Sequence, residues 1–356
     1  MVITFIAGWA KIKYYSVTPS KLKTRVSIII AARNEEDKIA KTIDDVLAQN
    51  YPKELFELII IDDHSIDRTA EIVNSYPGVK LIQLNEPQAL NSYKKMAIQR
   101  AIGEAVGSLI VTTDADCRMG RNWLETVVGY YEEHGYKMIS SPVAYDEEKD
   151  VFERLQSLEF AYLIGLGAST IGNKNPSTCN GANLAYEKKA FFDVGGFTGI
   201  DDLASGDDEL LLHKMAAVYG DKIGFLKNKD AVVYTHAKPT LKEFIQQRKR
   251  WASKSTRYKD KSVIILGVSI WLFNVSIVLN AILCVFFDGF LPFLLFQIIS
   301  KLLVEFVFLY KMMGFFKRKS LLLLLPLLNV LHVIYFIYIG IAGNSGKYNW
   351  KGRMVK

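Results

Sequence analysis

"VSIIIAARNEEDKIAKTIDDVLAQ", residues 26–49, contains two different patterns of apolar residues in one short stretch. The first part, "VSIIIAA" (Val26–Ala32), is a continuous and mainly β-branched apolar run, which is typical of a buried strand. In the second part, apolar side chains recur at helical spacing, at Ile39, Ile43, Val46 and Leu47. The stretch therefore predicts a buried strand that is followed directly by an amphipathic helix.

The same succession of strand and helix occurs three more times. "ELIIIDDHS" (57–65) precedes "IDRTAEIVNSY" (66–76), and "KLIQL" (80–84) precedes "NSYKKMAIQRAIGEA" (91–105). "GSLIVTTDAD" (107–116) precedes "NWLETVVGYYEEHG" (122–135). Such alternation predicts an α/β domain with a doubly wound, mainly parallel sheet, which we assign to residues 21–240.

Polar residues follow three of these strands: Arg33-Asn34-Glu35, Asp62-Asp63 and Asp114-Ala115-Asp116. Asp is common in turns, so "DAD" alone could be a solvated turn. Ligands of doubly wound sheets, however, bind beyond the carboxyl ends of the strands, where these clusters would meet. No G-x-G-x-x-G follows the first strand and no G-x-x-x-x-G-K-[ST] occurs, which disfavours a dinucleotide site. Mg²⁺ and Mn²⁺ prefer oxygen ligands, such as carboxylates and the phosphate oxygens of a substrate. The acidic clusters at this edge of the sheet therefore predict a site where a cation and a diphosphate bind together.

The C-terminal third accounts for the high apolar content, which is 50% of the 356 residues. Residues 263–287 and 320–343 lack charged side chains, and each run is long enough to cross a bilayer. The run between them contains Lys301 and Glu305, four residues apart on one helix face. They could pair within a span or mark an interfacial helix. The sequence thus predicts an integral membrane protein with two or three transmembrane helices within residues 262–345.

Basic residues suggest how these helices are oriented. "RKRWASKSTRYKDK" (248–261) precedes the first span and contributes to the net charge of +7, which favours a cytoplasmic catalytic domain beside anionic lipids rather than nucleic acid. "KMMGFFKRKS" (311–320) fits a hairpin that returns to the cytoplasm. A third crossing would leave the basic tail, residues 346–356, outside. One segment is therefore expected not to cross, and Pro326 and Asn329 make the third run a candidate for a bent or re-entrant helix.

Two further features are less informative. The apolar start "MVITFIAGWA" lies within a short N-terminal segment, residues 1–20, which is either the stub of a membrane anchor or a segment lying on the membrane. Cys117, Cys179 and Cys284 are an odd, scattered set, as expected in a reducing compartment.

The order and spacing of several motifs resemble family-2 inverting glycosyltransferases with a GT-A fold. The resemblance covers about residues 24–257, and its motifs are "VSIIIAARNEEDKIAKTIDDVLAQNYP", "ELIIIDDHSIDRT", "TTDAD", "CNGANLAY", "SGDDELL" and "QQRKRW". It implies a nucleoside-diphosphate sugar as donor, with Mg²⁺ or Mn²⁺ as cofactor. It also implies that Asp114 and Asp116 hold the cation and the diphosphate. The residues implied on the nucleotide-sugar side are Ala32, Arg33, Glu35, Asp62, Asp63, Lys94 and Asp114. Tyr93 replaces the Gly that many members have before this Lys.

"SGDDELL" (205–211) is implied to carry the catalytic base. An inverting transfer is one in-line displacement, so a single base suffices for the acceptor hydroxyl. The resemblance assigns the base to Asp208, with Asp207 in the preceding position, where the family more often has Glu. The alternative interpretation is that this pair caps the helix that follows.

The acceptor side is implied by "QQRKRW", an amphipathic interfacial helix that we place within residues 241–261. Gln247, Arg250 and Trp251 carry the Q-x-x-R-W motif, with Trp251 under the acceptor sugar and Arg250 near the diphosphate. A Trp face suits a sugar ring, and Arg matches phosphate in a bidentate way. Ordinary membrane anchoring is the alternative, and it could also apply to Arg248 and Lys249. Asn180 and Gly181 resemble an acceptor loop, but "NGAN" is equally typical of a turn.

The sequence therefore predicts a multi-pass, metal-dependent glycosyltransferase of the inner membrane with a cytoplasmic catalytic domain. Its expected partners are a nucleoside-diphosphate sugar, a lipid-linked or glycan acceptor, membrane lipids and other envelope-biosynthesis subunits, but not nucleic acid. The alternatives are a subunit of a processive polysaccharide synthase and a catalytically idle protein that binds nucleotide sugars.

Overall fold

The computed structural model describes residues 2–17, 22–84, 92–254, 258, 260–343, 348–350 and 353–355. The predicted N-terminal segment (1–20) and basic tail (346–356) are therefore described only in part. The strands are β1 (Val26–Ala32), β2 (Phe56–Asp62), β3 (Val79–Gln83), β4 (Leu109–Asp114), β5 (Arg118–Met119), β6 (Met138–Ser140), β7 (Val143–Tyr145), β8 (Leu184–Glu187), β9 (Ile223–Phe225), β10 (Val233–Thr235), β11 (Tyr348–Trp350) and β12 (Arg353–Val355).

The helices cover most of the remaining described chain. They are α1 (Val2–Lys11), α2 (Ile39–Leu47), α3 (Thr69–Asn74), α4 (Tyr93–Glu104), α5 (Trp123–His134), α6 (Val151–Gly172), α7 (Lys188–Asp193), α8 (Glu209–Tyr219), α9 (Leu241–Ala252), α10 (Lys261–Leu283), α11 (Leu291–Phe315) and α12 (Leu325–Ala342). Short 3₁₀ helices include Gly181–Asn183 and Lys319–Leu324.

A seven-stranded sheet forms the centre of the domain, in the order β3-β2-β1-β4-β8-β6-β9. Only β8 runs antiparallel to its two neighbours in this sheet, whereas the other pairings are parallel. The prediction of a mainly parallel α/β sheet is thus confirmed. A smaller sheet has the strand order β5-β10-β7, and all three of its strands follow β4 in the sequence.

The predicted buried strands form the core. Ile28, Ile30, Ile60 and Ile110 are fully buried, and burial of each such side chain stabilises the fold by about 1.5–3 kcal/mol. The amphipathic helix that we expected directly after β1 begins only at Ile39. The carbonyl of Glu35 accepts hydrogen bonds from the backbone N–H groups of Lys38 and Ile39, so a turn precedes the helix.

The N-terminal helix α1 packs against α6 and α11. The Phe5 ring lies 6.1 Å from the Phe308 ring, and the Trp9 ring lies 5.5 Å from the Phe315 ring. A Cβ at Gly8 would lie 2.1 Å from the carbonyl oxygen of Ser169, so only glycine permits this approach. The described part of the N-terminal segment is therefore packed against α6 of the α/β domain and against the apolar helix α11.

Three segments are long and apolar enough to cross a membrane: α10, α11 and residues Lys319–Ala342. The predicted pair on α11 is present, because the Lys301 Nζ lies 2.6 Å from a Glu305 carboxylate oxygen. The same Nζ donates to the side-chain oxygen of Asn329 on α12, at 2.8 Å. The ionisable side chains of this apolar helix are thus paired with each other and with α12, as such side chains are when they lie within membrane spans.

Pro326 and Asn329, the residues that made the third apolar segment a candidate for a bent or re-entrant helix, both lie within α12. Pro326 lies in the first turn of α12, where the missing N–H has no intrahelical partner in any case. The residues before it form the 3₁₀ helix Lys319–Leu324. The segment therefore consists of a 3₁₀ turn followed by one regular helix.

The C-terminal half of α12 follows α9 closely. The Tyr335 ring lies 5.4 Å from the Phe244 ring, and the Lys249 Nζ lies 5.2 Å from the centre of the Tyr338 ring. At the end of α12, a Cβ at Gly343 would lie 2.6 Å from the Cβ of Ala252. Before α12, Arg318 donates to the carbonyl of Tyr145 on β7. The third apolar segment is therefore held to β7 just before its start and to α9 at its end.

Candidate functional site

The parallel register brings the predicted polar clusters to one edge of the sheet. Ala32 on β1 pairs with Asp62 on β2, and Ala31 pairs with Asp114 on β4. These residues are the last of their strands or lie next to the last, so the side chains that follow emerge at the same rim. The convergence that the sequence predicted is present.

The loops after β1 and β2 are held to each other. The Arg33 guanidinium donates to the carbonyls of Asp63 and His64, at 2.7 and 3.0 Å. The backbone N–H of Glu35 donates to the hydroxyl of Thr69, at 2.8 Å. Asp62 is buried and accepts from the backbone N–H of Ser65, whereas Asp63 faces the cleft. Asp62 therefore shapes this loop and does not line the cleft.

The "DAD" carboxylates lie among lysines. An Asp114 oxygen is 2.9 Å from the Lys94 Nζ, which also lies 3.1 Å from an Asp207 oxygen. An Asp116 oxygen is 3.6 Å from the Lys38 Nζ. Lys94 thus connects the end of β4 with the loop that carries the predicted base.

Asp208 caps α8 and also faces the cleft. Its carboxylate accepts from the backbone N–H groups of Glu209 and Gly181, at 2.6 and 3.2 Å. The Lys254 Nζ lies 3.4 Å from the same carboxylate. Burial alone would raise the pKa of Asp208, but Lys254, these N–H groups and Lys94 together lower it well below its usual range. The capping interpretation is therefore confirmed, and Asp208 is held ionised inside the cleft.

The "NGAN" segment is both a turn and part of the cleft wall. Asn180 caps the 3₁₀ helix Gly181–Asn183 by accepting from the backbone N–H of Ala182, at 2.9 Å. A Cβ at Gly181 would lie 3.4 Å from an Asp207 oxygen, so this backbone passes close to both aspartates. The two interpretations of this segment are compatible.

The opposite wall of the cleft is aromatic and comes from β7, α6 and α9. The Phe160 ring stacks on the Tyr145 ring at 4.3 Å and on the Trp251 ring at 6.0 Å. The Arg248 guanidinium lies 4.3 Å from the centre of the Trp251 ring. Trp251 is thus fixed by its neighbours while it lines the cleft.

Arg248 does not anchor the protein to lipid, contrary to the alternative considered above for this residue. It is 4% exposed and forms a double ion pair with Glu159 on α6, with its Nε at 3.2 Å and one terminal nitrogen at 2.5 Å. The Tyr335 hydroxyl on α12 also donates to Glu159, and the other terminal nitrogen of Arg248 donates to the side-chain oxygen of Gln247. A buried charge requires such partners, so Arg248 fixes α9 to α6 and α12.

These walls enclose a cleft of about 480 Å³. Every predicted site residue except Asp62 lines it, namely Ala32, Arg33, Glu35, Asp63, Lys94, Asp114, Asp116, Asn180, Gly181, Asp207, Asp208, Gln247, Arg250 and Trp251. The donor-side and acceptor-side motifs therefore meet in one cavity.

The sequence analysis missed two kinds of residue in this cleft. Lys254, which contacts Asp208, follows Arg250 by four positions, and that helical spacing was the available signal. Phe160 and Ile164 on α6 also line the cleft. They are part of a long apolar helix, and its pattern does not indicate which face meets the cavity.

The residues at the "DAD" end have the chemistry that a hard cation needs. Asp114 and Asp116 supply carboxylate oxygens to the open cleft. No cluster of three or more His, Cys, Asp or Glu side chains that could hold a metal occurs among the described residues. A cation here would take its remaining ligands from phosphate oxygens or water, as Mg²⁺ commonly does. The donor set therefore fits a metal that binds together with a diphosphate.

This architecture is the GT-A fold. The solved structure of the mannosyltransferase PcManGT from Pyrobaculum calidifontis, in complex with GDP-Man and Mn²⁺, superimposes with a TM-score of 0.57. The superposition covers 94% of each chain at 19% identity, and it shows similarity of fold.

The sequence comparison points to the same class. The model of Glycosyl transferase family 2 matches residues 27–195, so this part of the chain is similar to that family. It is 27% identical over 242 residues to the probable glycosyltransferase YdaM of Bacillus subtilis, covering 64% of this chain and 54% of YdaM. It is also 27% identical over 246 residues to a beta-monoglucosyldiacylglycerol synthase of Synechocystis sp., covering 66% of this chain and 49% of that protein. The chain thus spans about half the length of these curated relatives.

Proposed function

We propose that the protein is a membrane-bound, metal-dependent inverting glycosyltransferase. It transfers a sugar from a nucleoside-diphosphate donor to a lipid-linked or glycan acceptor. The observation that carries this proposal is the single cleft in which the "DAD" carboxylates, Lys94, Asp208 and the aromatic wall meet. The match of residues 27–195 to the Glycosyl transferase family 2 model, and the Mn²⁺ and GDP-Man in the PcManGT complex, support it.

The donor occupies the end of the cleft formed by the strand termini. Arg33, Glu35 and Asp63 lie where the nucleotide would bind, with Asp62 supporting their loop. Asp114 and Asp116 would hold Mg²⁺ or Mn²⁺, which stabilises the negative charge that develops on the leaving diphosphate. Lys94 adds a positive charge beside the same position, and Arg250 approaches it from α9.

Asp208 accepts the proton of the acceptor hydroxyl. Its lowered pKa keeps it ionised at neutral pH, so it is ready to act as a base. The ideal base has a pKa near the working pH. Separation of Lys254 from Asp208 when the acceptor enters would raise the pKa of Asp208 toward that value. Asp207 remains paired with Lys94 and holds the donor end next to the base.

The acceptor lies against the aromatic wall. Trp251, Gln247 and the Asn180-Gly181 turn face this part of the cleft, and Phe160 and Ile164 add apolar surface. Apolar surface next to a membrane region favours an acceptor with a lipid part. The Synechocystis relative, named as a diacylglycerol-modifying enzyme, supports this class.

The contacts of α12 support one proposed membrane topology. Since its segment contacts the catalytic domain at both ends, we propose that α10 and α11 form a transmembrane hairpin and that α12 lies along α9 at the interface. This arrangement puts the basic tail on the cytoplasmic side with the catalytic domain, in keeping with the positive-inside tendency. One hairpin per protomer is too little for a polysaccharide channel, which favours single or limited transfer.

A donor screen tests the activity. Purified protein in detergent is incubated with each nucleoside-diphosphate sugar and with membrane lipid extract, and released nucleoside diphosphate is measured. We expect release with one donor class, its loss in chelator and its return with Mn²⁺ or Mg²⁺. Binding of a nucleotide sugar without transfer or hydrolysis under any of these conditions would favour the idle binding protein.

Labelling with an impermeant maleimide tests the topology. In sealed inside-out vesicles and a background with Cys117, Cys179 and Cys284 all replaced by Ser, Lys317→Cys should react and Gly289→Cys, at the turn between α10 and α11, should not. The reverse pattern, or equal labelling of both, would refute the proposed hairpin.

A further inference from the structure

The chain that leads into Asp207 and Asp208 is wrapped around two lysine side chains. The Lys95 Nζ donates to the carbonyl oxygens of Ile200, Leu203 and Ser205, at 2.5, 2.7 and 2.7 Å. The Lys214 Nζ donates to carbonyl oxygens earlier in the same loop, those of Gly195, Gly196 and Thr198. Ammonium groups therefore organise this loop along most of its length, from residue 195 to residue 205.

Lys95 differs from Lys214 in its burial and in its position. Its side chain is 1% exposed, whereas Lys214 is half-buried near the surface. A buried ammonium group needs all of its hydrogen-bond donors satisfied, and three carbonyls match the three N–H groups of lysine. Loss of Lys95 would leave these carbonyl oxygens without that partner inside the protein.

The position of Lys95 in the sequence connects it to the donor end. The preceding residue, Lys94, bridges Asp114 and Asp207. In the first turn of α4, Lys94 thus contacts Asp114, a predicted cation ligand, and Lys95 holds the loop that precedes the predicted base. Neither contact was visible in the sequence, where "YKKMA" offers two adjacent lysines of identical chemistry.

The end of the loop connects Ser205 to Asp207 and Asp208 through a single residue, Gly206. Gly206 has a φ of +89°, and a Cβ there would lie 2.8 Å from the Leu210 side chain. This left-handed conformation and this close approach require glycine, and Gly206 alone separates Ser205 from Asp207. A shift of Ser205 would therefore move Asp207 and Asp208 at the start of α8.

We propose that Lys95 is a positioning residue that holds Asp208 in place for proton transfer. This inference rests on the proposed role of Asp208 as the base. Lys95 does not itself reach the donor or the acceptor, since it is not among the residues that line the cleft. Its substitution should therefore slow the step that needs the base and leave donor binding close to normal.

The test compares Lys95→Met with the control Lys214→Met, using transfer rate, donor hydrolysis, donor binding with Mn²⁺, and amide hydrogen exchange. Both variants keep the aliphatic chain and remove one ammonium group from the same loop. We expect Lys95→Met to lower the transfer rate by about 10²-fold, because small displacements of catalytic groups have effects of this size. Exchange at residues 200–208 should accelerate, with donor binding and donor hydrolysis nearly unchanged. Lys214→Met should accelerate exchange near residues 195–198 and leave transfer close to that of the wild type.

Lys95→Gln covers the case in which Lys95→Met does not fold. Its shorter amide keeps two N–H donors, so we expect partial recovery of both transfer and protection from exchange. Wild-type transfer by Lys95→Met, or an equal loss of transfer in Lys214→Met, would overturn the proposal. A loss of donor binding equal to the loss of transfer would overturn it too, because Lys95 would then act through Lys94.

Asp208→Asn, measured in parallel, separates this inference from the proposed function. If Asp208→Asn is inactive and Lys95→Met is normal, only the positioning role is refuted. If Asp208→Asn transfers at the wild-type rate, the proposed base is wrong and the positioning role is refuted with it, whatever the exchange data show.

Discussion

The proposed donor end and the proposed acceptor end of the cleft are built differently. At the donor end, charged side chains such as Asp114 and Asp63 directly follow parallel strands whose register is fixed by backbone hydrogen bonds. At the acceptor end, Trp251 and Phe160 belong to two helices whose relative position depends on side-chain packing and on the buried pair of Arg248 and Glu159. Strand register places the first group, and tertiary contacts place the second.

This difference has a functional consequence. The charged end can bind a diphosphate with little rearrangement, because the sheet holds its residues. The aromatic end is connected through Glu159 to Tyr335 on α12, and so to the membrane region. We therefore expect substitutions at the two ends to separate donor chemistry from acceptor use, and the following predictions test that separation in order of decreasing effect.

The largest effect is expected where the two ends meet. Asp208→Asn should lower sugar transfer by about 10²- to 10⁴-fold, the usual cost of removing a general base. Donor binding, measured by calorimetry with Mn²⁺ present, should persist. A parallel loss of donor binding would instead assign Asp208 to the donor end.

Asp116→Asn tests the donor end alone. Loss of a cation ligand should lower transfer and donor hydrolysis together, by about 10²-fold, because charge on the leaving group is less well stabilised. Lys38→Met is the matched control, since it removes the partner of Asp116 and keeps the carboxylate. If Asp116→Asn is fully active in chelator, the metal site is wrongly assigned.

Trp251→Ala tests the acceptor end. Transfer to a saturating acceptor should fall by about 10-fold, the equivalent of roughly 1.4 kcal/mol of lost aromatic contact. Background hydrolysis of the donor should be unchanged, and Trp251→Phe should retain part of the transfer activity. Normal transfer by Trp251→Ala in detergent would show that this residue only anchors the helix.

The last pair of variants tests stability at the contact of α12 with α6 and α9, and its first member should have the smallest effect of all. Tyr335→Phe removes one hydrogen bond to Glu159 and should lower the free energy of unfolding by about 1 kcal/mol. Arg248→Met leaves Glu159 buried without its counter-charge and should cost about 3–5 kcal/mol. Both are measured as shifts of the thermal unfolding midpoint in detergent. Equal shifts for the two variants would mean that the ion pair does not hold α9 in place.

Much of the donor end could be predicted from the sequence. Each polar cluster directly follows a β-branched apolar run, and parallel strands bring such positions to one edge. The exception is Asp62, which is adjacent to Asp63 in the sequence but points toward the Ser65 backbone. Successive side chains alternate in direction, and the sequence alone did not settle which one faces the cleft.

The acceptor end was less predictable because its residues are distant in the sequence. Arg248 and Lys249 have the same basic character in "QQRKRW", yet one is buried against Glu159 and the other lies beside Tyr338. The partner of Arg248 is 89 residues away on α6. No local pattern indicates such a pair, since it depends on how two helices pack.

The sequence by itself determined the α/β class, the polar rim after β1, β2 and β4, and the presence of apolar segments long enough for a membrane. These properties depend on local periodicity and on the identity of residues at strand ends. Only the tertiary structure decided which of the two lysines in "YKKMA" meets the aspartates, where the third apolar segment lies, and which charge in "QQRKRW" is buried. Those outcomes depend on contacts between residues far apart in the chain, and the geometry of such contacts is set by packing of the whole molecule.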